Sequence, residues 1–338
     1  MNGQSRVNNP EHVTTTTESN ASKISTTTGT GIKELTISVE SFNFHGYKQS
    51  FDYILSRFVH TYFMCLCETW VRPSELSLIQ NNIDSNEISN VNSYVVFYKS
   101  RMSEDDEHST GRLYGGVAII CKVNDGLSYE IINSRNSQIL TVLIKDRYDR
   151  PIHIILCAYM HYFDGSEDQN EEFLTCIDAM QVIINEYNEA VPIKFLSDFN
   201  AQLPRSKVTS NNWYKSKGFN AHIRLLCDFL VGNELSIVDF MFYQKTSYTY
   251  FNISRNIRTW IDNVFSTNYV ICYINSCDIV SLDDSNVSGH LPIRILITLN
   301  VQHYNNPIPK ETGRSDSLFA NWNKKLNNFE YSLDHGFI

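Results

Sequence analysis

Apolar and polar residues alternate over 34–43, with Leu35, Ile37 and Val39 on one side, and this two-residue period predicts a strand. Over 49–60 the spacing changes. Phe51, Ile54, Leu55 and Phe58 recur as on one face of a helix. The short apolar run 62–67 reads as a buried strand, 75–83 as a short helix and 93–98 as a strand. Four further strands are expected over 115–123, 129–132, 139–145 and 152–159. Phe173, Cys176, Ile177, Met180, Ile183, Ile184 and Tyr187 then mark the clearest helix, and its start, with Glu167, Asp168, Glu171 and Glu172, is acidic. Acidic groups suit the positive end of the helix dipole. Beyond it, 193–196 is a strand, 222–235 a helix and 238–242 a strand. The runs 248–251, 259–266, 271–275 and 290–300 complete a β-rich half.

Strands with interspersed helices, in two comparable halves, suggest two sheets packed together and flanked by helices. The apolar pattern leaves an open doubly wound sheet as the alternative, although there is no glycine-rich phosphate loop of the Rossmann or P-loop kind. Residues 1–33 are a Ser/Thr/Asn-rich tail with almost no large apolar side chains, and disorder is expected there. Residues 302–338 read as a polar linker or tail. The folded domain is therefore expected over 34–301.

Composition narrows the setting. Of 338 residues, 42% are hydrophobic, enough for a substantial core. There is no run of roughly 18 apolar residues and no apolar signal core at the N-terminus, so neither a membrane span nor secretion is expected. The eight cysteines lie mostly inside apolar runs without zinc-type spacing, which fits reduced thiols in a nuclear or cytoplasmic protein. The net charge of −9 falls almost wholly on the middle of the chain. An acidic domain is not the usual nonspecific nucleic-acid binder. Two windows without acidic residues stand out against it. One, 199–227, holds Arg205, Lys207, Lys215 and Lys217 among Trp213, Tyr214 and Phe219. The other, 243–261, holds Arg255 and Arg258 with Tyr248 and Tyr250. Basic groups interleaved with aromatics suit phosphate contact and base stacking, and equally describe ordinary solvated loops.

Four apolar runs end on polar groups: Asn43, Glu68, Asp198 with Asn200, and His290. Hydrolysis of a phosphodiester with a divalent metal needs such parts: a carboxylate on the metal, a group that orients water, and donors for developing charge. Glu68 is a hard-oxygen ligand of the kind Mg²⁺ takes, or a solvated strand-end residue. Asp198 and Asn200 stand one residue apart and so point the same way, as catalytic groups or as a turn pair. Asp262, a lone acid inside an apolar strand, needs a partner, and His290 is the candidate.

Together the pieces Ser41-Phe-Asn43, Cys67-Glu-Thr-Trp70, 111–119, Ala158-Tyr-Met160, Ser197-Asp-Phe-Asn-Ala201, Ser247-Tyr-Thr-Tyr250, Ile261-Asp-Asn-Val264 and Ser288-Gly-His-Leu-Pro292 resemble, in order, the endonuclease/exonuclease/phosphatase superfamily. Within it they resemble the endonuclease domain of non-LTR (LINE-type) retrotransposons. The resemblance implies an α/β four-layer sandwich of DNase-I type, two mixed β-sheets face to face with helices outside. It implies DNA nicking with Mg²⁺ (or Mn²⁺), metal at Glu68 and Asn43, and Tyr159 facing the scissile phosphate. Asp198 would activate water, Asn200 would contact phosphate, Thr249 would lie in the DNA-facing wall, and Asp262 would orient His290. A reverse transcriptase would accompany the domain in a full element and is absent from this chain.

Three positions depart from that pattern. Ser197 replaces the usual glycine and is expected to crowd the strand end, and His161 replaces a common proline. Gly289 replaces an aspartate, so a carboxylate beside His290 is missing; activity is expected to be weakened, and Gly289→Asp to recover it. An inactive relic or nucleic-acid-binding module of the same fold, and a phosphodiesterase or phosphatase for a small molecule or lipid, are the alternatives.

Overall fold

A computed structural model describes residues 24–25 and 32–302, apart from 59, 86–92, 103–112, 125, 189, 205–218, 243, 245, 268–270 and 272. The expectations for 1–33 and 302–338 therefore fall almost wholly outside the described residues, as do Arg205, Lys207, Lys215 and Lys217.

The first sheet is built from β1 (Ile24–Ser25), β2 (Ile32–Asn43), β3 (Phe63–Cys67), β4 (Tyr94–Lys99), β5 (Val117–Lys122), β14 (Ile274–Ile279) and β15 (Ile293–Gln302). Its order is β14-β15-β2-β3-β5-β4, with β1 also on β2. The second holds β6 (Leu127–Ile132), β7 (Ile139–Asp146), β8 (Pro151–Tyr159), β9 (Ile193–Asp198), β10 (Leu235–Ile237) and β13 (Asp262–Thr267), in the order β10-β13-β9-β8-β7-β6. A small hairpin, β11 (Tyr250–Asn252) with β12 (Ile257–Thr259), stands apart from both.

The apolar faces explain the layers. Residues such as Val39, Cys65, Ile119, Leu140, Ile155, Leu196, Val264 and Ile295 form one core between the sheets. The opposite face of the first sheet packs Phe42, Leu66 and Ile120 under α1 (Tyr47–Phe58) and α2 (Ser77–Asp84). The opposite face of the second packs Ile154, Phe195 and Phe265 under α3 (Glu167–Tyr187) and α4 (Ala221–Gly232). The result is helix, sheet, sheet, helix, and the expectation of two packed mixed sheets is met; an open doubly wound sheet is excluded. The acidic start of α3 sits as expected, with the Ser166 hydroxyl accepting the Gln169 amide at 3.3 Å.

Among the pairings described, β2 with β3 and β8 with β9 are parallel. In register, Asn43 lies opposite Cys67, Tyr159 opposite Asp198, and Asp262 opposite Asp198. Alternation along the strands puts Asn43, Tyr159, Asp198 and Asp262 on the side that faces the other sheet. The apolar core thus ends in a row of polar side chains.

Some elements differ from expectation. Residues 238–242 form no strand but a short helix, α5 (Val238–Met241). The turn brings the buried Asp239 carboxylate inward, where it accepts the Trp260 indole N–H at 2.7 Å and the Val264 amide at 2.8 Å. A buried carboxylate needs such donors, and here one comes from Val264 on the strand that carries Asp262 and the other from Trp260 just before it. The helix expected through 235 ends at Gly232, and the strand expected over 271–275 runs over Ile274–Ile279.

Glu40 of β2 is also buried, and it joins three elements. Arg57 of α1 reaches it at 2.8 Å, and the Arg294 Nε of β15 at 2.6 Å. Glu40→Ala would strand two guanidiniums against the sheet. It is expected to lower unfolding free energy by about 3 kcal/mol, measured by urea denaturation; a loss under about 1 kcal/mol would show that this cluster does not hold α1 to the sheet.

Candidate active site

The strand ends turn abruptly. His45, Glu68 and Asn200, each one or two residues beyond a strand, take left-handed backbone with φ of 51°, 57° and 49°. Trp70 does the same at 53°. Such backbone is costly for residues other than glycine and gathers where surrounding contacts enforce it. Here the enforcing contacts run between the ends of β2 and β3: the Gly46 amide bonds the Glu68 carbonyl and the Tyr47 amide the Thr69 carbonyl, both at 2.9 Å. Gly46 itself is needed, since a Cβ there would stand 2.5 Å from the Trp70 ring.

Asp198 is the centre of the polar row and is almost fully buried. Its Oδ2 accepts the Asn43 amide at 2.8 Å and the Asn200 amide at 3.2 Å, and its Oδ1 accepts the Asn200 backbone N–H at 2.9 Å. Beside it, the His290 Nδ1 lies 2.9 Å from Asp262 Oδ2, while His290 Nε2 faces Asp198 Oδ2 at 4.0 Å. The bond to Asp262 fixes Nδ1 as the protonated nitrogen and turns Nε2 toward Asp198. Two of the three groups carry negative charge when ionised, and all three are buried. Burial, then the neighbouring Asp262 charge, pushes the Asp198 carboxyl up from 3.8 to about 8. Burial, the largest single influence, would lower His290, but Asp262 together with Asp198 and Glu68 raises the imidazole from 6.5 to about 9. Asp198 and His290 are thus both shifted toward their protonated forms relative to the unfolded chain.

Glu68 stands on the other sheet. Burial opposes its ionisation, yet bonds from His45 and Tyr159 win, and its carboxyl falls from 4.5 to about 2. The Tyr159 hydroxyl donates to Oε1 at 2.7 Å, and His45 Nε2 lies 2.8 Å from Oε2. Burial and the Glu68 charge hold the Tyr159 phenol in its protonated form.

Of the residues singled out in the sequence, Asn43, Glu68, Tyr159, Asp198, Asn200, Asp262 and His290 meet at this mouth. Their contacts refine several expected roles. Asn43 spends its amide nitrogen on Asp198 and its oxygen on the His45 backbone N–H at 3.3 Å. Asn200 spends its nitrogen on the Met160 carbonyl at 2.7 Å and on Asp198. Thr249 is fully buried rather than part of an exposed wall. Its hydroxyl accepts the amides of Ile261 and Asp262 at 3.1 and 3.0 Å, so it positions Asp262. Ser197 does not crowd the strand end; its hydroxyl accepts the Ala158 amide at 2.8 Å. His161, the substitute for proline, pairs with Glu172 at 2.7 Å. Arg255 and Arg258 are exposed on the β11–β12 hairpin, with Arg258 stacked over Tyr248 and Phe251 at 5.1 and 4.9 Å. The Phe251 amide bonds the Gly289 carbonyl at 2.8 Å, which joins that hairpin to the His290 segment.

Gly289 has a different meaning from the expected one. The carboxylate is absent, and the space for it is filled. A Cβ at 289 would stand 2.9 Å from both the Phe251 carbonyl oxygen and the Tyr250 ring, which lies 4.5 Å from the His290 ring, centroid to centroid. His45, two residues from Asn43, has no role in the sequence pattern, and Tyr250, an aromatic of the basic window over 243–261, packs on His290.

The arrangement can be set beside known proteins. No protein-family model and no curated protein matches the chain. Solved structures do match. An AP endonuclease from Leishmania major aligns over 78% of this chain and 87% of its own, at 12% identity and a TM-score of 0.58. The chain has the DNase-I-like fold. A second DNase-I-like neighbour, the 3′ phosphatase NExo from Neisseria bound to a product DNA hairpin, covers 77% of this chain and 99% of its own at 10% identity, TM-score 0.53. A third is the endonuclease domain of TRAS1, a telomere-specific non-LTR retrotransposon, at 14% identity, 77% and 98% coverage and TM-score 0.51. The expected DNase-I-like fold is thus shared with these structures over about three quarters of the chain.

Two outcomes follow from this geometry. Folded Asp198 and His290 hold protons that the unfolded chain releases above pH 3.8 and 6.5, so stability falls as pH rises toward 8 and 9. Urea midpoints are expected to drop between pH 5 and 8, and Asp198→Asn to flatten that drop; an equal slope in the variant would refute the assignment. Gly289→Asp is expected to destabilise by roughly 1–3 kcal/mol, because the Phe251 carbonyl cannot move without the hairpin. A thermal melt at or above wild type would contradict the filled-space account.

Proposed function

We propose that this domain is a divalent-metal-dependent endonuclease that nicks DNA by attack of water on a phosphodiester, and that it derives from a non-LTR retrotransposon. The observation that carries the reading is the buried Asp198–Asp262–His290 cluster with Glu68 held on the facing sheet by Tyr159, in a fold whose solved neighbours include AP endonucleases and a retrotransposon endonuclease domain.

The donor set suits a divalent cation. Glu68 is ionised down to about pH 2, and its two oxygens keep lone pairs beyond those used by Tyr159 and His45. Mg²⁺ or Mn²⁺ is the expected ion; it would be held at Glu68 and would neutralise charge on the phosphate oxygens. The chain's own residues supply the rest. Asp198, in its ionised form, is the group placed to take the proton of an attacking water, and a divalent cation bound at Glu68 would favour that form. Asn43 and Asn200 hold that carboxylate in place. Asp262 keeps His290 turned so that Nε2–H meets the developing charge on phosphorus-bound oxygen, and the bond to the leaving sugar oxygen breaks on the opposite side. Arg255 and Arg258, on the hairpin joined to this strand end, suit contact with the DNA backbone. The basic window 205–217 is assigned the same role from its composition alone.

A second reading, an inactive nucleic-acid-binding module, is favoured by one observation. Tyr250 and Phe251 close the space beside His290 where a side chain at 289 would stand.

The readings separate in a supercoiled-plasmid assay with Mg²⁺ or Mn²⁺. Wild type is expected to convert supercoiled to open-circular DNA, with His290→Ala and Asp198→Asn slower by at least about a hundredfold. Nicking by wild type no faster than by His290→Ala would leave the binding module as the answer.

A further inference from the structure

We propose that His45 is a metal ligand. With Glu68 it forms a mixed nitrogen–oxygen site that takes a borderline transition cation such as Co²⁺ or Zn²⁺ in preference to Mg²⁺. This rests on the metal-dependent reading above and names the donors and selectivity of that same site.

The geometry comes from the two strand ends. His45 Nε2 and Glu68 Oε2 are 2.8 Å apart. Two adjacent ligands on an ion bound at about 2.1 Å lie roughly 3 Å from one another, so the pair can close on an ion with small adjustments, the ion replacing the shared proton. Neither side chain is free to drift. The backbone at 44–47 is bonded to 67–69, from Phe44 to the Cys67 carbonyl at 3.4 Å through Gly46 and Tyr47. The His45 ring is stacked on Trp70 at 5.6 Å and meets the edge of His290 at 5.3 Å. On the far side of Glu68, Tyr159 holds Oε1, which leaves Oε2 toward His45. An outer hydrogen bond of this kind orients a metal-binding carboxylate. The His45 side chain is 34% exposed against 12% for Glu68, so the pair opens to solvent on the imidazole side, where waters and a substrate oxygen can complete the coordination.

Asn43 leaves the ligand place open to His45. It was the expected second donor, but its two amide ends are bonded to Asp198 and to the His45 backbone. The Asp198–Asp262–His290 trio is the competing location, since its ligand atoms lie within 4.8 Å of one another. There Nδ1 of His290 is already bonded to Asp262, and the trio lacks an exposed side chain through which an ion would enter. An imidazole donor moves affinity away from Mg²⁺, which prefers oxygen alone, and toward Co²⁺ and Zn²⁺.

Isothermal titration of the full-length chain with Co²⁺ and with Mg²⁺ tests this, with the Co²⁺ absorption band as a second readout. Wild type is expected to bind one Co²⁺ at least about tenfold more tightly than Mg²⁺. His45→Ala should weaken Co²⁺ by roughly 10–100-fold and leave Mg²⁺ within about twofold. His45→Gln, which keeps a hydrogen-bond donor toward Glu68, should match His45→Ala and stands in for it if the alanine variant unfolds. His290→Ala, which removes a neighbouring proton-bearing ring and not a ligand, should not weaken Co²⁺ binding. The proposal is overturned if Co²⁺ binds no more tightly than Mg²⁺, if both His45 variants keep wild-type Co²⁺ affinity, or if the loss follows His290→Ala instead. Tight His45-dependent Co²⁺ binding without plasmid nicking would sustain the site and defeat the endonuclease reading. Nicking with His45-independent Co²⁺ binding would do the reverse.

Discussion

Parallel pairing of β8 with β9, and of β2 with β3, is the constraint on which the site depends. Parallel neighbours end at the same side of a sheet, so their last residues lie side by side. In the second sheet this sets Tyr159 beside Asp198, and the antiparallel β13 brings Asp262 to the same level from the other direction. In the first it sets Asn43 beside Cys67, with Glu68 next in the chain. A one-residue slip in any of these strands would turn its polar end group to the helix-covered face. The apolar alternation that fills the core between the sheets is therefore also what aims the polar groups at its open end.

Burial then sets the chemistry. Two carboxylates and an imidazole within one dry cluster cannot all adopt their usual solution charges. The fold resolves this by raising the proton affinity of His290, against Asp262, and of Asp198, through burial, relative to the unfolded chain. Glu68, more accessible than that cluster, goes the other way because His45 and Tyr159 bond to its charged form. Asp198 and Glu68 at one mouth thus differ in proton affinity through burial and their neighbours, which is the condition for dividing the work of proton transfer and cation binding.

Support for these groups comes from residues with no direct part in the chemistry. Thr249 holds the amides that begin β13, Asp239 holds Trp260 and Val264 beyond them, and Ser288 binds the Asn43 carbonyl at 2.7 Å while accepting the His290 amide at 3.1 Å. That last pair ties the His290 turn to the end of β2. The Gly289 segment is held against the hairpin of Tyr250 and Phe251, so a change at one is felt at the other.

Local pattern was enough for much of this. The alternation of Leu35, Ile37 and Val39 and the spacing from Phe173 to Tyr187 follow from burying one face, and each can be read without knowing the partner. The convergence of Asn43, Glu68, Asp198, Asp262 and His290 was legible because each ends or interrupts an apolar run, where a polar group needs a reason. Tertiary structure alone decided the remainder. Residues 238–242 carry a strand-like pattern, yet the demand of buried Asp239 for donors on β13 turns them into a helix. Gly289 reads as a lost carboxylate until Tyr250, distant in the chain, is seen in its place. His45 gains its meaning from a contact with Glu68 that only the pairing of β2 with β3 creates. Sequence by itself determined which positions face the core and which groups stand at the strand ends; three-dimensional proximity determined their partners, because hydrogen bonds and charge interactions act across a few ångströms of space without regard to distance along the chain.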